Sequence, residues 1–123
     1  RRVEQHTTTT NPASPTRSDD MDDLFERCLS RRGADPSSSW TAKLLAKGVP
    51  KCAQKVGEEA VEVVIEAVKG DKEHLVKESA DLLYHLSVLW VAAGVTPQDV
   101  YDELKRREHT SGIQEKRDRP TED

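Results

Sequence analysis

Two stretches of this chain, Glu58-Glu59-Ala60-Val61-Glu62 and Glu78-Ser79-Ala80-Asp81, gather five carboxylates into a small part of the sequence. On a helix, residues three or four apart share a face, so each stretch aims its acids in one direction. Two antiparallel helices would turn the two sets toward each other. Groups of one sign converging on a point repel unless a hard cation lies between them, and such cations take oxygen ligands. A magnesium cluster built this way suits metal-assisted attack of water on a phosphoanhydride, with a carboxylate outside the tightest ligand set as base.

The elements that must position these acids can be read from periodicity and punctuation. Met21, Leu24, Phe25, Cys28 and Leu29 share one helical stripe, with Asp19 or Asp20 as cap and Gly33 as stop, which predicts a helix over 21–32. Ser39 can cap a short helix through Trp40, Leu44 and Leu45 that Gly48 and Pro50 end. Pro50 suits the first turn of the next helix, which runs to about Val68. Gly70 then stops that helix and Asp71 caps its successor, so the connection is tight and the two helices should be antiparallel neighbours. The second of the pair runs from about Lys72 to Ala93 and stops at Gly94. Thr96-Pro97-Gln98-Asp99 opens a last helix to about Arg107. No stretch alternates with period 2, so the expected fold class is all-α. Residues 1–20, with four consecutive threonines, read as a disordered extension; 21–108 form the domain and 109–123 a C-terminal tail.

Helical wheels weigh the functional reading of the acids against a bland one. With Glu58 at zero, Glu62, Lys55, Glu66 and Glu59 fall within roughly the next 100°. The rest of that helix is apolar over most of its girth, which implies burial on several sides. Taken alone, its acids could be a solvated face. On the second helix, Leu75, Leu82 and Leu89 lie to one side of Glu78 and Asp81, His85 and Val88 to the other, so the acids lie inside the apolar stripe. Burying an ionised carboxylate without a partner is costly or drives its protonation. Lys55 could serve one acid and His85 another, but neither satisfies the whole set, so metal binding is preferred to a structural ion-pair network. All candidate donors are oxygens, favouring Mg²⁺ or Mn²⁺ over zinc. A di-iron bundle needs Glu-x-x-His pairs, whereas Leu82 precedes His85 and Asp71 precedes His74 at that spacing. Lys43, Lys47, Lys51 and Lys55 recur just before the acids and would line an approach for phosphates.

Bulk properties narrow the remaining classes. The chain has 123 residues, 34% apolar and 34% charged, so its core must be thin or completed by another subunit. A net charge of −4 argues against nucleic acid as a partner. Cys28 and Cys52 are isolated, which suits a reducing compartment. No apolar run approaches the ~20 residues of a membrane span, and none follows Arg1-Arg2 as a secretory signal would require. A cytoplasmic location is expected.

Three segments carry a family resemblance: Ser39-Trp40-Thr41-Ala42-Lys43-Leu44-Leu45, Lys55-Val56-Gly57-Glu58-Glu59-Ala60-Val61-Glu62 and Glu78-Ser79-Ala80-Asp81-Leu82-Leu83-Tyr84-His85. Together they resemble the phosphoribosyl-ATP pyrophosphohydrolases of histidine biosynthesis, within the wider MazG-like group of all-α nucleotide pyrophosphohydrolases. Ser111-Gly112-Ile113-Gln114-Glu115-Lys116 looks like that family's tail. The resemblance implies Mg²⁺-dependent hydrolysis of phosphoribosyl-ATP to phosphoribosyl-AMP and pyrophosphate by a helical homodimer. By position it makes Glu59, Glu62, Glu78 and Asp81 metal ligands. Glu58 becomes a further ligand or a group that orients or deprotonates the water, and Glu62 is its companion in catalysis. Lys43, Lys51, Lys55 and His85 become candidates for substrate contact. Trp40 stands where the family pattern leads one to expect Tyr, and Cys52 where an aliphatic residue is usual. Two rival readings share the sequence: a house-cleaning nucleoside triphosphate pyrophosphohydrolase with the same acid array, and a non-enzymatic helical interaction module.

Overall fold

A computed structural model describes residues 18–108, and the expectations for the N-terminal extension up to residue 17 and for the tail 109–123 lie outside them. Five helices and no strands make up the described residues: α1 Ser18–Leu29, α2 Trp40–Lys47, α3 Val49–Lys69, α4 Lys72–Ala93 and α5 Pro97–Arg107. The all-α expectation holds.

Local chemistry explains most of the boundaries. Ser39 Oγ accepts from the Ala42 N–H at 3.1 Å to start α2. Only Gly48 separates α2 from α3. Its N–H closes α2 on the carbonyls of Leu44 and Leu45, and its carbonyl accepts the Cys52 N–H to open α3. Gly70 ends α3 in the left-handed region, and Asp71 Oδ1 accepts the His74 N–H at 3.1 Å to begin α4. Thr96 and Asp99 form a reciprocal capping box at α5, each side chain accepting from the other's backbone N–H.

The first helix differs from expectation. It begins at Ser18 and ends at Leu29, three residues earlier at each end than the apolar stripe suggested. After Leu29 the bonding tightens, with the Arg31 and Arg32 N–H groups donating to the carbonyls of Cys28 and Leu29, and Ser30 Oγ donates to the Arg27 carbonyl at 2.7 Å. The serine hydroxyl thus competes for a carbonyl of the last helical turn well before Gly33.

α3 and α4 form an antiparallel hairpin with the most extensive packing in the molecule; α1 lies on α4, and α2 crosses both hairpin helices. Phe25, Cys28, Leu44, Cys52, Tyr84, Val88 and Val91 build the core on the side covered by α1 and α2. The other side of the hairpin is bare. Val61, Val64, Ile65 and Val68 of α3 and Val76 and Leu83 of α4 are exposed, Val68 at 83%. A contiguous valine-rich face of this kind is unusual for a monomer's surface. Among the described residues, no single helix is long and apolar enough to cross a membrane.

Candidate metal and nucleotide site

The carboxylates converge where α3 faces α4. One oxygen from each of Glu59, Glu78 and Asp81 lies within 4.8 Å of the others. Glu59 is fully buried, Asp81 nearly so, and Glu78 half-buried. Two full negative charges at that separation repel by about 3 kcal/mol or more at an effective dielectric of about 20. Every influence on Glu78 acts in one direction: burial first, then the charges of Asp81, Glu59 and Glu62, and last a hydrogen bond with Glu59, all raising its pKa. Its Oε1 is buried and has no hydrogen-bond partner among the described residues. A buried oxygen left without a donor, in a set made only of oxygen donors, fits a hard divalent cation.

The neighbouring acids of α3 do not share the burial of Glu59. Glu58 is exposed and accepts bonds from Gln54 Nε2 at 2.8 Å and Lys55 Nζ at 2.9 Å. Those two partners, Gln54 foremost, pull its pKa down to about 2. Glu62 is exposed beside the triad, close enough for its charge to act on Glu78. Of the four metal candidates, the structure therefore brings three together and leaves Glu62 at the rim.

His85 is buried at 1% exposure, and its Nδ1 donates to the Asp81 carbonyl at 2.9 Å, one turn back on α4. That bond places the Nδ1 proton and braces the turn carrying Asp81. The ring meets Tyr84 edge-on at 4.8 Å between centroids. Tyr84 in turn shares a buried hydrogen bond with the Thr41 hydroxyl, while Cys52 Sγ donates to the Leu44 carbonyl at 3.4 Å. These links tie α2 to the hairpin. Burial pushes both thiols upward, Cys28 to about 11, so both are poor nucleophiles.

The cations come from two helices. Lys43 on α2 and Lys55 on α3 each place Nζ 6.0 Å from the centroid of the Trp40 ring. Lys51 is half-buried on α3, and its charge contributes to lowering Glu58. The approach expected from lysine spacing is thus assembled around an indole that the sequence did not single out as an organiser. The Lys43 pairing was readable as an i,i+3 neighbour on one helix; the Lys55 pairing depends on the bend at Gly48. Gln54, one turn before Glu58, was readable in the same way.

A second set also meets the geometric test for a cation. Glu66, Asp71 and His74 offer ligand atoms within 4.8 Å at the α3–α4 turn. Here local contacts account for part of the arrangement: Asp71 Oδ2 lies 2.7 Å from His74 Nδ1, and Glu66 Oε1, buried without a hydrogen bond like Glu78 Oε1, has the Lys69 ammonium at 3.4 Å.

Comparison with known proteins places the constellation. The sequence profile described as "Phosphoribosyl-ATP pyrophosphohydrolase" matches residues 21–108. A protein of Gluconobacter oxydans called phosphoribosyl-ATP pyrophosphatase is 62% identical over 99 residues, 80% of this chain and 74% of that one. Proteins of the same name from Parvibaculum lavamentivorans and Paracoccus denitrificans are 64% and 62% identical over 96 residues each, covering 78% of this chain and 88% and 89% of theirs. With the match spanning all five helices but the first turn of α1, the chain belongs to the phosphoribosyl-ATP pyrophosphohydrolase family, a family of hydrolases.

Proposed function

We propose that this chain hydrolyses phosphoribosyl-ATP to phosphoribosyl-AMP and pyrophosphate, the second step of histidine biosynthesis, with Mg²⁺ (or Mn²⁺) held by Glu59, Glu78 and Asp81 and completed by Glu62. The observation that carries the reading is the triad of Glu59, Glu78 and Asp81, in which the buried Oε1 of Glu78 has no hydrogen-bond partner. Bound there, a divalent ion neutralises phosphate charge and makes a coordinated water more acidic. The chain's own groups do the rest. Lys43, Lys51 and Lys55 receive the polyphosphate from the α2 side. Glu62 stands exposed at the rim beside the triad; Glu58, held near 2 by Gln54 and Lys55, is a weak base and orients water or Lys55 instead. His85 supports Asp81 through its carbonyl rather than from an exposed position.

The active unit is a homodimer, with the valine face of α3 and α4 buried against a second copy. The bareness of that face supports this, as does the thin core on the other side. A cytoplasmic setting accords with the free, buried Cys28 and Cys52. Val64→Glu should shift the protein to the monomer in light scattering, and an unchanged dimer would exclude this face.

Pyrophosphate release from phosphoribosyl-ATP, with and without Mg²⁺, tests the reaction. The expected result is Mg²⁺-dependent turnover with kcat/KM well above that on dUTP, dCTP or other nucleoside triphosphates. A clear preference for an ordinary triphosphate would point to the house-cleaning activity. No turnover of any of them, with no effect of Mg²⁺ on the melting temperature, would leave an interaction module.

A further inference from the structure

We infer that Trp40 is the platform on which the purine of the nucleotide stacks, so that this indole governs recognition of the base while the lysines around it take the phosphates. The inference rests on the functional reading above and concerns the same site. Trp40 is the first residue of α2 and is 41% exposed, although its helix is buried at Thr41, Ala42 and Leu44. An apolar ring of this size left open to water beside a charged cluster is a surface suited to an aromatic ligand. Its surroundings are polar in a directed way. Lys43 Nζ and Lys55 Nζ both stand 6.0 Å from the ring centroid, at the outer limit of cation–π contact. Both ammonium groups lie over the ring, so a flat ligand stacking there displaces an ammonium from the face it takes and brings its own phosphates to the released charge.

The second lysine joins the indole to the acids. Lys55 Nζ, near the ring, is also bonded to Glu58 Oε1 at 2.9 Å, and Glu58 adjoins Glu59 of the triad. Ring, ammonium groups and carboxylates therefore follow one another across α2 and α3. Along phosphoribosyl-ATP the base, the α-phosphate and the α–β anhydride that is cleaved follow one another in the same order. The α2 helix is also firmly seated, through the Thr41–Tyr84 and Cys52–Leu44 bonds, so the ring is held at a defined place. Stacking on an aromatic face needs no hydrogen-bond pattern and gives useful affinity for any purine.

Two measurements test this on the full chain. Steady-state kinetics with phosphoribosyl-ATP should show KM raised about tenfold in Trp40→Leu, with kcat within about threefold of wild type and near-normal KM restored in Trp40→Phe. Titration with phosphoribosyl-AMP and Mg²⁺ should quench the wild-type indole emission saturably, and the quench should vanish in Trp40→Phe, where Trp90 still reports. This second readout stands even where Trp40→Leu folds poorly. Unchanged KM in a folded Trp40→Leu, or an identical quench in Trp40→Phe, would overturn the inference while wild-type turnover kept the functional reading intact. A Trp40→Leu protein that becomes monomeric with unaltered KM would assign the ring to subunit contact and overturn it likewise. Absence of wild-type turnover would overturn both.

Discussion

The α3–α4 hairpin carries two acidic clusters of nearly equal geometry and opposite character. Glu59, Glu78 and Asp81 meet midway along the helices; Glu66, Asp71 and His74 meet at the turn, and both sets fit within 4.8 Å. At the turn, the pairing of Asp71 with His74 is explained by local bonds, and the Glu66 carboxylate has a nearby cation in Lys69. Asp71 caps α4 through Oδ1 and pairs with His74 through Oδ2, and both bonds lower its pKa. Midway along, burial and like charges raise Glu78 instead. Ligand atoms within reach of one another are therefore weak evidence for an ion. The stronger sign is a cluster in which burial and like charge both disfavour the ionised carboxylates.

The largest effect should come from neutralising the buried set. Glu59→Gln or Glu78→Gln should cut turnover by at least about a hundredfold while the fold is retained. Without metal, either variant should match or exceed the wild type in melting temperature, because a repelling charge has been removed. Added Mg²⁺ should raise the wild-type melting temperature and leave the variants unmoved. Equal stabilisation of Glu78→Gln by Mg²⁺ would break the comparison.

Asp71→Ala should do the reverse. Loss of the cap should lower the melting temperature by roughly 5 °C with kcat/KM little changed. A loss of turnover rivalling that of Glu78→Gln would mean that the turn cluster also takes part in catalysis.

The smallest effect is on pH dependence, and its sign differs between the clusters. Glu78 binds its proton more tightly folded than unfolded, so in metal-free protein its contribution is fully present below the ordinary glutamate range and fades as pH rises through its raised value. Asp71 binds its proton less tightly folded, so its contribution is present above the ordinary aspartate range and is lost as pH falls through its depressed value. Denaturation of Glu78→Gln and Asp71→Ala across mildly to strongly acidic pH should remove one trend each. A Glu78→Gln profile parallel to wild type would contradict the raised proton affinity.

Much of this architecture was legible in the chain. Ser39, Gly70, Asp71 and Thr96 act through bonds to residues two to four positions away, so their roles could be read locally. The burial of Asp81 and Glu78 followed from their place inside an apolar stripe. What escaped the sequence is tertiary. Glu58 and Glu59 are adjacent, yet one faces water with Lys55 and the other lies buried in the triad, a split that the packing of α3 on α4 decides. The hydrogen bond that fixes His85, from Nδ1 back to the Asp81 carbonyl, was not singled out in the sequence, where the residue was a substrate-contact candidate by resemblance. The earlier end of α1 arose from a serine hydroxyl taking a carbonyl, where a glycine three residues later had looked decisive.

Gly48 has a consequence beyond joining two helices. Its φ of +87° and ψ of −176° lie where only glycine is comfortable, and an added Cβ would meet nothing closer than Pro50 Cδ at 3.8 Å. Space is available there; torsion alone forbids a side chain. The span between the indole of α2 and the carboxylates of the hairpin is thus set by rotation about the bonds of one residue that belongs to neither. How far the indole stands from the carboxylates is a backbone property, adjustable without altering a single group that does chemistry.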